Sequence, residues 1–536
     1  MNSLPASVLT AAAALICLVL TVTRAKYLLH MLQLEEYDPR RFAHWVFGHL
    51  KRLCANYALD ALGIMGLIVA FVHPRQPVAV AITGVVAVVL GAGGLLQERR
   101  LTKSPPKKAL VMTPRAQRLL VCCAVISAAV SLLPFIVSGG AALAGSLLLP
   151  VAAPLVMLAS CFAMEPLEAS IRLWYLRDAH RTLVRLEPIV VGITGSYGKT
   201  STKFFLTHLL ESRYRVLMTP ESYNTAMGIC RVIRGQLGPE HQVFVVELAE
   251  NERGGFRRLL SLVPCSMSIV TSVGVQHLEE FGSEAVIRRV MQEFVSMGPS
   301  GGTVVLNGDD STLADVADVP GKKLLKTSAT GSQAADLRAE NVVVSSEGLS
   351  FDIVTAQGER VSCRSTLLGR HNVQNILLAV AAAWELGVSW AAVQEGILTL
   401  RAPPHRLQML SGAGGVRIID DAFNSNPAGF AMAMEALASF PSRRVLVTPG
   451  LVSLGSAGEA ENVEAGKRAA AAADTVILVG PRKTQSVRAG LLAAGFPEAS
   501  ILTVSSLEEV TNVMRSLLAP GDTVLFENDL PDTYNE

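Results

Sequence analysis

The stretch Ile189-Val190-Val191-Gly192-Ile193-Thr194-Gly195-Ser196-Tyr197-Gly198-Lys199-Thr200-Ser201-Thr202-Lys203-Phe204-Phe205-Leu206 changes character twice. A short β-rich run leads into a turn with spaced glycines, and a helical pattern begins beyond it. Glycines let the backbone fold closely around phosphate oxygens, and a helix N-terminus offers free N–H groups. Lys199 adds a positive charge, and the Thr200 hydroxyl is a ligand suited to Mg²⁺. The strict G-x-x-x-x-G-K-[ST] pattern is missed, because its first glycine would fall on Ile193. The placement at a strand-to-helix junction makes the motif specific. It predicts nucleotide binding through Thr194, Gly195, Ser196, Gly198, Lys199, Thr200 and Ser201.

Working outward, β-rich runs alternate with helical patterns: Val243-Phe244-Val245-Val246, Ser268-Ile269-Val270 and Thr303-Val304-Val305-Leu306. After Pro403-Pro404 a second set follows, around Val416–Ile419, Arg444–Val447, Thr475–Val479 and Thr523–Phe526. Alternation of this kind predicts parallel sheets covered by helices, in two α/β domains with a boundary near residue 402. A metal-bound triphosphate also needs a carboxylate at the end of a neighbouring strand, and Glu247 has that position. A solvated acid closing a strand is the plainer reading of the same residue.

The region before these domains is different. The whole chain has 536 residues, 50% hydrophobic and 17% charged, with a mean hydropathy of +0.39. Soluble domains carry about 25% charged residues, so a wholly soluble chain is excluded. Residues 1–165 hold 14 Lys and Arg against 6 Asp and Glu, a charge of +8, and the remainder carries −6. Apolar runs near 4–23, 57–73, 78–96, 119–137 and 142–164 are each long enough to cross about 30 Å of hydrocarbon. Basic residues concentrate after the first run and after the third, which predicts a multi-pass protein of the cytoplasmic membrane, with the N-terminus outside and the catalytic domains cytoplasmic. Asp60 is either a functional polar group or a side chain snorkelling to the interface. The segment Glu168–Arg185, with Trp174 and Tyr175 among arginines, reads as a lipid-surface helix or a plain linker. Eight cysteines without ligand-like spacing suit buried thiols. The expected organisation is a transmembrane region over 1–165, an ATP-binding domain over 166–402 and a C-terminal domain over 403–536.

The ordered motifs beyond residue 189 resemble the Mur ligase family, and within it the members that join D-alanyl-D-alanine to a muramoyl tripeptide. The resemblance rests on the glycine loop and on Glu247-Leu248-Ala249-Glu250-Asn251, His277-Leu278-Glu279-Glu280-Phe281-Gly282 and Leu306-Asn307-Gly308-Asp309-Asp310. It continues through Gly369-Arg370-His371-Asn372-Val373-Gln374-Asn375, Arg406-Leu407-Gln408 and Asp420-Asp421-Ala422-Phe423-Asn424-Ser425-Asn426-Pro427. It implies a P-loop central domain and a Rossmann-like C-terminal domain. The implied reaction uses ATP to activate a carboxylate as an acyl phosphate, which an amine then attacks, as in cell-wall precursor synthesis. By position, Lys199 would hold phosphates, Thr200 and Glu247 one Mg²⁺, and His277 with Glu247 a second. Arg406 would reach the γ-phosphate, Asp421 the ribose, and Asn307 and Asn375 the adenine. Asn224, Asn424 and Asn426 are candidate substrate contacts. The implied partners are membrane lipid, a lipid-linked or muramoyl-peptide carboxylate and an amino-acid or dipeptide amine, with no nucleic acid.

Three departures qualify the resemblance. The family's carbamoylated lysine falls on Met291, whose thioether is a poor magnesium ligand. The family's Gly-Asp-Met-x-Glu-Leu-Gly segment reads Gly450-Leu451-Val452-Ser453-Leu454-Gly455, without either acid. The apolar runs occupy the place of the family's UDP-binding domain. Competing readings are a ligase for another envelope polymer such as polyglutamate, a silent nucleotide-binding scaffold, and a transport ATPase suggested only by Leu410-Ser411-Gly412-Ala413.

Overall fold

The computed structural model describes residues 6–49, 109–132, 139–221, 223–249, 255–273, 284–297, 301–314, 320–423, 426–452, 454 and 457–528. The chain divides into two compact units, Met1–Leu173 and Trp174–Leu530.

In the first unit the described elements are helices: Ala6–Leu34, Pro39–Gly48, Pro114–Leu132 and the beginning of Gly139–Leu186. They share a buried cluster that includes Leu28, Leu32, Phe42, Leu119, Cys123 and Met157. Arg118 and Glu168 make a two-pronged ion pair at 2.7 and 2.9 Å. The expectation of a multi-pass protein is corrected here. Among the described residues, one helical stretch, Ala152–Leu186, is long and apolar enough to cross a membrane. At Pro114–Leu132, Arg115 and Arg118 occupy the first turns, and the described part beyond them, residues 119–132, covers about 21 Å at 1.5 Å per residue against about 30 Å of hydrocarbon; residues 133–137 of the expected run lie outside the described residues. The expected runs at 57–73 and 78–96, with Asp60, lie outside the described residues.

The second unit begins with the end of the same long helix, which packs on the sheet domain. Ala179 and Leu183 are buried with Val190, Phe244 and Val246, and the His180 ring nitrogen lies 3.0 Å from the Leu262 carbonyl. Arg234 pairs with Asp178 at 2.6 Å and lies 4.3 Å over the Tyr175 ring. Burial of one face explains the amphipathic pattern without a lipid surface.

Two sheets follow. The strands of the first are β1 (Ile189–Thr194), β2 (Val216–Met218), β3 (Val243–Glu247), β4 (Met267–Val270), β5 (Thr303–Asn307), β6 (Lys323–Ser328), β7 (Leu337–Ser345), β8 (Gly348–Thr355) and β9 (Arg360–Ser365). Their order is β2-β3-β1-β4-β5-β6-β7-β8-β9. Neighbours are parallel up to β7 and antiparallel beyond it. Successive side chains of β1 and β3 alternate between two cores. Val191, Ile193, Val243 and Val245 face Phe205, Leu206 and the helix His371–Glu385. Val190, Phe244 and Val246 face Ile229, Leu259 and Phe294. Because β1 lies between β3 and β4, its carboxyl end opens into the crevice where open α/β sheets take ligands.

The second sheet contains β10 (Gln408–Ser411), β11 (Arg417–Asp421), β12 (Arg444–Thr448), β13 (Thr475–Val479), β14 (Ile501–Val504) and β15 (Thr523–Glu527), in the order β10-β11-β15-β12-β13-β14. Only the β10–β11 pair is antiparallel. The seven described cysteines are free thiols, six of them buried.

The helix Lys199–Leu210 is anchored by Phe205, which is 1% exposed. Replacing Phe205 with Ala is expected to lower stability by about 3–5 kcal/mol, read as a reduced midpoint in urea unfolding of the full chain.

Candidate functional site

The glycine loop needs its glycines for measurable reasons. Gly195 has φ +136° and Gly198 φ +80°, and a Cβ at either would fall 2.2 Å from Thr271 Oγ1 or 2.3 Å from Asn375 Oδ1, respectively. Thr271 fastens the loop's base, since its backbone N–H and its hydroxyl both donate to the Thr194 carbonyl, at 2.9 and 3.2 Å. Ser196 N–H donates to the Ser272 carbonyl. Gly198 is the N-cap of the helix Lys199–Leu210, with no side-chain cap. The first-turn N–H groups therefore lack intrahelical acceptors and suit an anion.

Lys199 folds back over this loop and donates to the Gly195 and Ser196 carbonyls at 2.6 and 3.1 Å. Burial lowers its pKa; the charge of Glu247 opposes that shift and the charge of Arg406 adds to it. A cation held by carbonyls, desolvated and repelled by a second cation, gains from an arriving polyanion.

Glu247 is buried at the end of β3, where it pairs with Ile193 of β1. Its Oε2 accepts from Thr200 Oγ1 at 3.0 Å and from Lys203 Nζ at 3.1 Å, and its Oε1 accepts from Asn224 Nδ2 at 3.1 Å. Lys203 also donates to the Glu221 carbonyl. Thr200 and Glu247 together offer hard oxygen donors of the kind magnesium prefers, with remaining ligands left to water and phosphate. Among the described residues no group of three His, Cys, Asp or Glu side chains could hold a metal. His277 lies outside the described residues.

Met291 is 6% exposed, on the helix Glu284–Met297, in the apolar cluster that contains Phe256 and Phe294. It packs as a core residue and supplies no oxygen where the resemblance expects a carbamate.

The C-terminal sheet contributes Arg406 and Asp421. Arg406 sits between His405 (φ +59°) and Leu407 (φ +47°), two left-handed residues that turn the backbone sharply. Leu407 N–H donates to Asp421 Oδ1 at 3.0 Å, and the Arg406 guanidinium lies 4.5 Å over Phe423. Burial lowers the Arg406 pKa against the charges of Asp421, Glu247 and Glu527. Burial also raises the Asp421 pKa, while its contacts with Glu527, Leu407 N–H and Arg406 act the other way.

The helix His371–Glu385 joins the loop to a cavity. Asn375 accepts from Thr202 Oγ1 at 3.5 Å and donates to Asn372 at 3.1 Å. On the same helix, His371 and Gln374 line a cavity of about 730 Å³ with Thr330, Asn341, Arg370 and Glu435. Gln374 Nε2 donates to Thr327 Oγ1 at 2.7 Å, whereas His371 Nδ1 and Gln374 Oε1 are buried without hydrogen-bond partners. Burial, aided by the charge of Arg406, lowers the His371 pKa to about 4. Its imidazole is neutral at pH 7, and it and Gln374 offer uncharged hydrogen-bonding atoms in a cavity whose lining also includes Glu340, Arg370 and Glu435.

The structure thus gathers Thr194, Gly195, Ser196, Gly198, Lys199, Thr200, Glu247, Asn224 and Asn375 around the loop. Ser201 lies in the helix's first turn. Asn307 ends β5, where its Oδ1 accepts from Asp309 N–H at 3.0 Å. Asn426 is used locally, capping the helix Pro427–Ala438 through Ala428 and Gly429 N–H; Asn424 lies outside the described residues. Sequence reasoning missed Lys203, His371 and Gln374. Their signal was spacing: Lys203 is three residues from Thr200 on one helix face, and Gln374 three from His371.

Residues 193–383 match the family model of the Mur ligase middle domain, and residues 405–527 that of the Mur ligase glutamate ligase domain. The chain is 32% identical to the UDP-N-acetylmuramoyl-tripeptide–D-alanyl-D-alanine ligase of Escherichia coli, over 54% of this chain and 64% of that protein. It is 30% identical to the protein of the same name from Mycobacterium tuberculosis, over 63% of this chain and 69% of that one. The chain thus spans somewhat less than two thirds of the E. coli relative. In fold it is similar to the Thermotoga maritima MurF ligase solved in complex with ADP (TM-score 0.58, 22% identity, 68% of this chain and 81% of that one). It is also similar to a MurF structure from Acinetobacter baumannii (TM-score 0.61, 23% identity, 68% and 78%).

Two substitutions test this geometry. Gly198→Ala forces a side chain into left-handed backbone against Asn375 and is expected to weaken nucleotide binding at least about tenfold, a cost of roughly 1–2 kcal/mol, measured by calorimetric titration. Met291→Lys places an ammonium in an apolar cluster and is expected to destabilise the chain by more than about 2 kcal/mol, measured by urea unfolding.

Proposed function

Because the chain belongs to the Mur ligase family, we propose that it is an ATP-dependent ligase that joins an amine to a carboxylate in cell-envelope precursor synthesis. The observation that carries this reading is the glycine loop itself: the Lys199 ammonium lies 2.6 and 3.1 Å from the Gly195 and Ser196 carbonyls at a helix N-terminus with no side-chain cap, and Thr200 lies 3.0 Å from Glu247. A triphosphate there draws the ammonium from those carbonyls and receives the free N–H groups of the helix Lys199–Leu210.

In this reading the glycine loop is a P-loop-type cradle and the second sheet has a Rossmann-like role. Lys199 leaves the Gly195 and Ser196 carbonyls for the phosphates. Arg406 balances charge on the transferring phosphoryl group while a substrate carboxylate attacks it. The amine then displaces phosphate from the resulting acyl phosphate. Mg²⁺ held by Thr200 and Glu247 would neutralise phosphate charge. Asp421 serves the ribose and Asn375 the base, and the cavity beside His371 and Gln374 suits the edge of a heteroaromatic ring, with the Gln374 Oε1 accepting from an exocyclic amine.

The acceptor in this proposal is a muramoyl-peptide-type carboxylate and the donor an amino acid or dipeptide. The candidate span Ala152–Leu186, the one found among the described residues, supports an acceptor that is lipid-linked or handled close to the membrane. One observation favours a second reading, a silent nucleotide-binding scaffold: Met291 lies in an apolar core.

The test is phosphate release by the purified full chain with ATP, Mg²⁺, D-alanyl-D-alanine and a muramoyl tripeptide, supplied either on UDP or on a lipid carrier. Phosphate is expected only when both amine and acceptor are present, with more than about a hundredfold loss of kcat in Lys199→Ala. Faster turnover of the UDP form would overturn the lipid-linked acceptor. Nucleotide binding with no turnover of either acceptor would favour the scaffold.

A further inference from the structure

Lys203, on the helix that follows the glycine loop, has no part in the reading above and is fully buried, at 0% exposure. Its ammonium reaches two acceptors, Glu247 Oε2 at 3.1 Å and the Glu221 carbonyl. Both are oxygens that only accept, so the nitrogen donates to each; burial lowers its pKa, and the charge and hydrogen bond of Glu247 oppose that shift. Glu221 itself has φ +44°, a left-handed residue held by this contact. The turn it belongs to carries Asn224, which donates to the other Glu247 oxygen. Lys203 therefore fixes both the carboxylate and the turn beside it.

The cation in direct contact with Glu247 is Lys203, while Asp421 and Glu527 balance Arg406 further out. The charge of the Glu247 carboxylate is felt by both Lys199 and Arg406. An ammonium hydrogen-bonded to the carboxylate opposes a divalent cation at the same oxygen, and between buried groups that repulsion is weakly screened. An arriving polyphosphate reverses the sign of the local field.

We propose that Lys203 is a positioning residue that makes divalent-cation binding at Glu247 conditional on the nucleotide. In the nucleotide-free site its ammonium occupies the carboxylate oxygen nearest Thr200. Metal then enters together with polyphosphate, when the added negative charge outweighs Lys203. The consequence is ordered assembly: free magnesium does not fill the site, and the Glu247 carboxylate keeps its orientation until nucleotide arrives. This inference rests on the ligase reading, because it takes Thr200 and Glu247 as the metal-binding pair.

The experiment is Mn²⁺ titration of the full-length protein in detergent, followed by electron paramagnetic resonance, with and without a non-hydrolysable ATP analogue. Wild type is expected to bind Mn²⁺ at least about a hundredfold more tightly with the analogue than without it. Lys203→Met, which keeps the length of the side chain and loses the charge, is expected to bind Mn²⁺ at least about tenfold more tightly than wild type in the absence of nucleotide. Lys203→Gln tests the same loss of charge with a donor retained, and thermal unfolding of each variant checks that it folds. A role confined to packing would change the melting temperature and leave the nucleotide-free affinity for Mn²⁺ unchanged, which would overturn the proposal. Tight Mn²⁺ binding by nucleotide-free wild type would overturn it without any variant. If the analogue itself fails to bind wild type, the ligase reading falls.

Discussion

The register that sets Ile193 of β1 beside Glu247 of β3 is the constraint on which the rest depends. It brings the last residue of one strand next to the point where its neighbour turns into the glycine loop. Glu247 can then receive Thr200 and Lys203 from the helix that follows and Asn224 from the turn beyond β2. A buried carboxylate is costly unless its oxygens are paired, and here both are. A one-residue slip would turn Glu247 to the opposite face and leave Lys203 buried without its counter-charge.

The second half of the site is held by backbone geometry. Two consecutive left-handed residues other than glycine would be unfavourable, and here two such residues flank Arg406, with Leu407 tied to Asp421 by its N–H. The Arg406 guanidinium lies 4.5 Å over the Phe423 ring. The helix His371–Glu385 completes the arrangement: Asn375 fits against Gly198, which has no side chain to obstruct it, and His371 and Gln374 face the cavity. The segments around the two sheets each contribute groups that neither could assemble alone.

The glycine loop was legible in the sequence because φ values of +136° and +80° admit little except glycine, and β1, β3, β4, β5, β11, β12, β13 and β15 were legible as short apolar runs rich in Val and Ile, whereas β2, β6, β10 and β14, short or more polar, were not. The antiparallel extension from β7 to β9 was not, since residues such as Arg338, Glu340 and Arg360 alternate with buried ones and read as polar connections. Lys203 was equally hidden. A lysine in a helix ordinarily lies in water, and only the fold puts Glu247 over it. Asn426 shows the opposite error, an amide that looked available for substrate but whose oxygen is used to cap a helix. In the N-terminal region apolar length alone reads five spans, whereas among the described residues one helical stretch, Ala152–Leu186, is long and apolar enough to cross a membrane.

The central claim is that a nucleotide occupies the glycine loop with its phosphates between Lys199 and Arg406. A crystal structure of the full-length protein with Mg²⁺ and a non-hydrolysable ATP analogue measures this directly. The account predicts Lys199 Nζ on a phosphate oxygen instead of on the Gly195 and Ser196 carbonyls, one metal between Thr200 and Glu247, and the base beside His371 and Gln374. A nucleotide bound elsewhere, with Lys199 still on those two carbonyls, would contradict it.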